Sequence, residues 1–189
     1  SASNLVSGDT NGAADVFVND RGTKKPSTTR VSVASGGAQA NGDSGSASVS
    51  GDGRLVAFVS GASNLASGDT NGVADVFVHD RVTNSTTRVS VASDGTEANA
   101  QSAFVGAPQL SVDGRFVAFE SFASNLVLGD TNGMLDIFVH DRQSGTTTRV
   151  SVASDGTQAD GGSESPAISA DGRFVAFESV ASNLVLGDT

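Results

Sequence analysis

A block of roughly sixty residues recurs three times along this chain, so its fold must be an array of one repeated unit. The landmark is Gly-Asp-Thr-Asn-Gly followed by Asp-(Val/Ile)-Phe-Val. It reads GDTNGAADVFV at Gly8–Val18, GDTNGVADVFV at Gly68–Val78 and GDTNGMLDIFV at Gly129–Val139. A fourth copy starts at Gly187 and reaches Thr189. Stacked units bury their apolar faces against one another, so an array cut inside a unit leaves an incomplete unit at each end.

Between the landmarks, Val, Phe and Thr supply strand formers, and Gly, Ser, Asn and Asp supply turns. No long helical period appears, which fits an all-β chain. Its 189 residues suit one domain or two. Formal net charge is −10, with 11 Lys and Arg. That leaves too few cations to neutralise a run of phosphates, and no nucleic-acid partner is expected. An acidic surface does suit cations bound through oxygen. Without cysteine there is no disulfide framework and no thiolate metal site. No apolar run approaches the length of a membrane-spanning helix, so membrane insertion is not expected.

One copy shows the unit. Pro108–Ser111 is a short extended run, and Val112–Gly114 is an Asp-Gly turn of the kind that closes hairpins. Arg115–Ser121, RFVAFES, is apolar on both faces, as a strand covered on both sides must be. A connection, Phe122–Leu135, leads to a third strand at Asp136–Arg142. In the fourth, Thr148–Ser154, valines alternate with mostly polar residues, which predicts an outer strand with one wet face. Four short antiparallel strands with the middle pair most apolar describe a β-propeller blade. The rival, a parallel β-helix, has shorter coils, no hairpin turn and no wet outer strand.

The segment Pro-Xaa-(Leu/Ile)-Ser-Xaa-Asp-Gly-Arg-Phe-Val-Ala-Phe-Glu-Ser, at Pro108–Ser121 and Pro166–Ser179, resembles the strand pair of TolB-type, WD-like propeller repeats. Ser46–Ser60 is a looser copy, with Ala47 in place of the proline. The resemblance implies a propeller fold and a secreted or periplasmic location. The ASNLV-GDTNG connection is longer than the simplest family pattern.

Counting strands gives a half-blade at about residues 1–35, full blades at about 46–93 and 107–154, and a half-blade at about 166–189, three blades' worth in all. Three blades do not easily close a ring, since propellers have about four to eight. Each half-blade would also expose a strand edge. A head-to-tail homodimer resolves both, each copy's last half-blade completing the other's first to give a six-bladed ring. The near-identity of Ser1–Thr10 and Ala181–Thr189 fits that joint. Closure by further blades of a longer chain is the alternative.

The landmark also repeats an oxygen pattern, D-x-N-x-x-x-D, at Asp9, Asn11 and Asp15, at Asp69, Asn71 and Asp75, and at Asp130, Asn132 and Asp136. Side-chain oxygens at alternate positions of a glycine-containing turn suit Ca²⁺. The loop resembles a shortened D-x-N-G-D-G-x-x-D loop of integrin-type calcium repeats. The competing reading is a turn in which Asn-Gly bends the chain and the aspartates accept backbone N–H groups. Asn4, Asn64, Asn125 and Asn183 are placed to pin the same loop.

Nine arginines fall at repeat positions: Arg21, Arg81 and Arg142; Arg30, Arg88 and Arg149; Arg54, Arg115 and Arg173. With Asp20, Asp80 and Asp141 available, they read as cross-strand pairs. Few positions vary. His79 and His140 align with Asn19, Glu120 and Glu178 align with Val59, and Phe104 and Lys24-Lys25-Pro26 lie in loops. No catalytic triad, thiol nucleophile, phosphate loop or zinc signature appears. The chain is therefore expected to be a non-catalytic scaffold that binds itself and offers loops or a channel to another protein or a polysaccharide. The alternative is a ligand- or metal-binding, or hydrolytic, propeller with convergent acidic or His side chains at the channel mouth. A third reading is recent repeat duplication without an evolved ligand.

Overall fold

The computed structural model describes residues 4–22 and 25–187. Lys24 of the insertion and the aspartate of the fourth landmark lie outside them. The described residues form twelve strands in four sheets. β1 (Phe17–Asp20) and β2 (Ser27–Arg30) make a two-stranded sheet. The first complete sheet contains β3 (Ser44–Val49), β4 (Leu55–Ser60), β5 (Asp75–Asp80) and β6 (Ser85–Arg88). The second contains β7 (Gln109–Leu110), β8 (Phe116–Ser121), β9 (Asp136–Asp141) and β10 (Thr146–Arg149). Another two-stranded sheet, β11 (Ser163–Ile168) and β12 (Val175–Ser179), follows. This is an all-β array of antiparallel propeller blades, two complete and two half.

The hairpin turns explain the strand pairs. In each, an aspartate accepts the hydroxyl of the serine two residues before it and the N–H two residues after it, as in Ser50-Gly51-Asp52-Gly53-Arg54. The turns at Ser111 and Ser169 repeat this. The glycine after each aspartate takes a left-handed φ of 68–73°, which only glycine adopts without strain.

The core lies between sheets. One cluster joins Val16, Val31 and Ala40 of the first half-blade to Val56, Phe58 and Phe77 of the next sheet. The other joins Leu55, Ala57, Val76 and Val78 to Val117, Phe119 and Phe138 of the sheet after it. Opposite faces of the middle strands therefore serve different clusters, which is why those strands read apolar throughout. Phe58 stacks on Phe77, and Phe119 on Phe138, with centroids 6.0 Å apart in both pairs.

Three contacts recur between neighbouring sheets, each at two of the three steps. Gly51 N–H donates to Val112 O, and Val112 N–H to Ala170 O. Gly114 lies under Leu55, and Gly172 under Phe116, so closely that a Cβ would meet the side chain at 2.3 and 2.1 Å. Thr86 donates its hydroxyl to Val33 O, and Thr147 to Val91 O. The strand β7 touches both β3 and β11, so the first strands of successive sheets are neighbours.

Two features depart from expectation. The fourth strand begins two residues earlier than Thr148 and is shorter. After Val150 donates to Ile137 O the chain leaves the sheet, because Ser151 turns inward to bind Asp136. The serine expected on a wet face is fully buried. The strand β7 is reduced to two residues, where β3 and β11 have six. Before it the chain bulges at Ala103, with φ 53°, to accommodate Phe104, Val105 and Gly106.

Candidate functional site

Each landmark loop folds around an arginine from the fourth strand. In the first copy, Arg30 Nη1 lies 3.1 Å from Asp9 Oδ1 and 3.5 Å from Asp15 Oδ2. Arg88 meets Asp69 at 3.3 Å and Asp75 at 3.4 Å, and Arg149 meets Asp130 at 3.1 Å and Asp136 at 3.4 Å. Gln39 and Gln158 accept from their arginines, both at 3.1 Å, and Glu97 takes this role for Arg88 at 2.9 Å. The second aspartate also accepts a serine hydroxyl, from Ser32, Ser90 or Ser151. In all three arginines Nε is buried and has no partner among the described residues. Burial pushes the carboxyls of Asp69, Asp75 and Asp130 up, and the arginine opposes that shift.

The asparagine is oriented by the backbone. Asn71 accepts Val73 N–H through Oδ1 and donates Nδ2 to Ala98 O and to Asp75. Asn11 and Asn132 repeat this with Ala13 and Ala40, and with Met134 and Ala159. The nine residues of the calcium pattern are thus brought together in three groups, but not as rings of oxygens. Asn offers its NH₂ to the neighbouring aspartate, and the guanidinium takes the place of a cation between the carboxylates. As arranged, these residues do not fit a calcium ion. The signal that points to the clamp is Arg-Val-Ser in every copy, Arg30-Val31-Ser32, Arg88-Val89-Ser90 and Arg149-Val150-Ser151.

Asn64, Asn125 and Asn183 pin the connection to the chain entering their own blade. Asn64 donates to Gln39 O and accepts Asn41 N–H; Asn125 and Asn183 repeat this at Glu97 and Asn99, and at Gln158 and Asp160. Asn4 makes no such bond among the described residues.

The remaining charged and polar positions are mostly structural. Arg54 binds both oxygens of Asp80, at 3.0 and 2.6 Å, and Arg115 both oxygens of Asp141, at 2.9 and 2.7 Å. These guanidinium groups hold both carboxyls well below the usual carboxylate range. Arg81 and Arg142 donate to the carbonyls of Gly53 and Gly114. His79 and His140 are buried, which pulls their pKa values down. Each Nδ1 lies 2.9 Å from a threonine hydroxyl, of Thr86 or Thr147. Those hydroxyls donate onward to carbonyls, so each imidazole donates from Nδ1. Asn19 makes the same bond to Thr28, at 2.8 Å. Glu120 is 1% exposed and accepts three N–H groups, from Val105, from Gly106 at 2.9 Å and from Ser165 of the next sheet at 3.0 Å. Glu178, in the matching position, is exposed, so the two carboxylates do not form a pair. Phe104 is exposed and packs edge-on against Phe122, with centroids 5.8 Å apart. Among the described residues no group of three or more His, Cys, Asp or Glu is arranged to hold a metal.

What stands out is the edge of each half-blade. Phe174 is 61% exposed, whereas the aligned Leu55 is 8%. Ala176 is exposed, whereas Ala57 and Ala118 are buried. No carboxylate reaches Arg173 among the described residues, and its guanidinium rests on the Phe174 ring at 4.9 Å. In the first half-blade Asn19 is exposed where His79 and His140 are buried.

No model of a known protein family matches the sequence, nor does any curated protein. Solved structures do resemble the chain. The tricorn protease matches with a TM-score of 0.50 at 17% identity, over 86% of this chain and 13% of that protein. TolB from Acinetobacter baumannii matches at 0.47 and 19% identity, over 87% of this chain and 32% of TolB. The β-propeller domain of the Trilobed protease from Pyrococcus furiosus, described as having an open velcro topology, matches at 0.39 and 19% identity, over 66% and 30%. The chain spans about a third or less of these proteins, and the likeness is one of fold.

Proposed function

We propose that this chain is a non-catalytic propeller scaffold whose open sheet edges are completed by added strands. The observation that carries this reading is β12, which pairs with β11 along one edge only, yet has the sequence of a middle strand. Among the described residues no strand pairs with its other edge, and its apolar side chains are exposed or only half-buried, the arrangement that strand-adding interactions exploit. The uses already made of the polar repeats support it. Most of the arginines and aspartates, and both histidines, are bonded within the fold, and Ser46, Ala47, Ser165 and Ala167 are the small residues exposed along the first strands. The carboxylates that do gather, as at Arg88, are held by an arginine of the fold. Calcium at the landmark loops would have to displace the arginine, and a rise in Tm with millimolar Ca²⁺ would favour that reading. The strand-accepting reading is tested by hydrogen exchange in solution. Residues 173–180 are expected to be as protected as 115–121. Fast exchange at every second amide of β12, with β8 protected, would remove it.

A further inference from the structure

We infer that the strand added to β12 is β1 of a second copy of this chain, in one defined register, and that two such joints close a two-fold, six-bladed ring. This rests on the strand-accepting reading above and names its partner. The complete blades give the register. Phe58 lies opposite Phe77 and Phe119 opposite Phe138, with Leu55 opposite Asp80 and Phe116 opposite Asp141. Aligned residues place Phe177 opposite the partner's Phe17 and Phe174 opposite the partner's Asp20. Arg173 then binds the partner's Asp20, as Arg54 binds Asp80 and Arg115 binds Asp141. Within one chain no arginine pairs with Asp20 among the described residues.

Two contacts repeated between sheets and one made once reach across the same joint, each with one half left open at one end of the array and the other half at the other end. Leu55 covers Gly114 and Phe116 covers Gly172, but a Cβ on Gly53 would meet only Arg81, at 3.8 Å. The exposed Phe174 covers the partner's Gly53. Thr86 and Thr147 bind Val33 O and Val91 O of the preceding sheet. The partner's Thr28 is their equivalent for Val152 O. Glu120 accepts the Ser165 N–H in the bulge of the next sheet, and Glu178 faces the matching bulge at the partner's Ser46. Three separate contacts thus pair the same two ends in the same order.

The duplicated connection also resolves. Ala181 is 4% exposed and Asn183 is already bonded to Gln158 and Asp160, whereas Leu5 is 51% exposed where Leu65 is 2%. Ala181–Leu186 therefore fills the connection of the composite blade and hands over to the partner's Gly8, leaving the partner's residues 4–7 outside it.

Charge reversal tests the joint through mass in solution, read by sedimentation. The unaltered chain is expected at twice 18.8 kDa. Arg173→Asp alone puts two aspartates at both joints, and Asp20→Arg alone puts two arginines there, so each variant is expected at the single-chain mass. Mixing the two variants places one opposite-charge pair at each joint, and the doubled mass should return. That recovery needs both variants folded. A single-chain mass for the unaltered protein at about 100 μM, a mass above two chains, or variants that stay paired would overturn the inference. If the unaltered protein is single-chain but residues 173–180 resist exchange, the strand-accepting reading survives with another occupant. If they do not resist, both fall.

Discussion

The complete blades and the half-blades are written in nearly the same residues yet differ in how far those residues are buried. LVAFVS in β4 and FVAFES in β8 are almost entirely covered; VAFES in β12 is mostly exposed. A strand's burial is therefore set by its neighbours and not by its own sequence. A middle strand needs a paired strand on each edge and a sheet on each face. β12 lacks the strand on one edge and the sheet beyond one face. The landmark clamp shows the opposite behaviour. It draws only on the third and fourth strands and their loops, so Arg30 in a half-blade is bonded much like Arg149 in a complete one.

The phenylalanine pair should separate the two kinds of region most sharply. Phe119→Ala, in a complete blade, should destabilise by about 3–5 kcal/mol in chemical unfolding. Phe177→Ala should approach that loss in the assembled protein and make unfolding concentration-dependent. If the edge stays open, its cost should remain below about 1 kcal/mol.

The clamp is where the regions should agree. Arg149→Ala and Arg30→Ala should each cost roughly 3 kcal/mol by leaving buried carboxylates without a cation. Arg88→Ala should cost more, because Asp69, Asp75 and Glu97 all converge on that guanidinium. A half-blade clamp much weaker than the others would break the parallel.

Glycines sharpen it further. Gly53→Ala in the separate chain should cost about 1 kcal/mol, the strain of a left-handed alanine. Gly114→Ala should cost more, because its Cβ would strike Leu55. In the assembled ring Gly53→Ala should also weaken association, since Phe174 would cover it.

The smallest expected effect is pH dependence. Burial depresses the pKa values of His79 and His140, so their contribution is full above the unfolded value of about 6.5 and is lost as pH falls through the folded values. Thermal unfolding between pH 7 and pH 5 should show this loss. Replacing both histidines with Asn, the residue at position 19, should flatten it while keeping the threonine bonds.

The repeat made the fold legible. Asp-Gly turns located the hairpins, two-sided apolar runs located the middle strands, and the strand count matches the sheets. The landmark was legible as a polar cluster but not as a clamp. Asp9 and Arg30 are far apart in sequence, and only the fold shows that the positive charge in the loop comes from the protein. The inward turn of Ser151 was hidden because a buried serine and a solvated one look alike in an alternating strand. Glu120 stood out as a variable position, but its three backbone donors come from segments that only packing brings together.

A cross-strand disulfide tests the completed edge, in a chain that has no cysteine of its own. Ala57 faces Val78 and Ala118 faces Val139, so Ala176 should face the partner's Val18. Directly opposed strand positions have Cα atoms about 4.5–5.5 Å apart, within disulfide reach. On mild oxidation the Ala176→Cys/Val18→Cys variant should run as a covalent dimer on a denaturing gel. The control Ala176→Cys/Asn19→Cys, one residue out of register and on the opposite face, should stay single. Equal cross-linking of the two, or none in either, would contradict the completed edge.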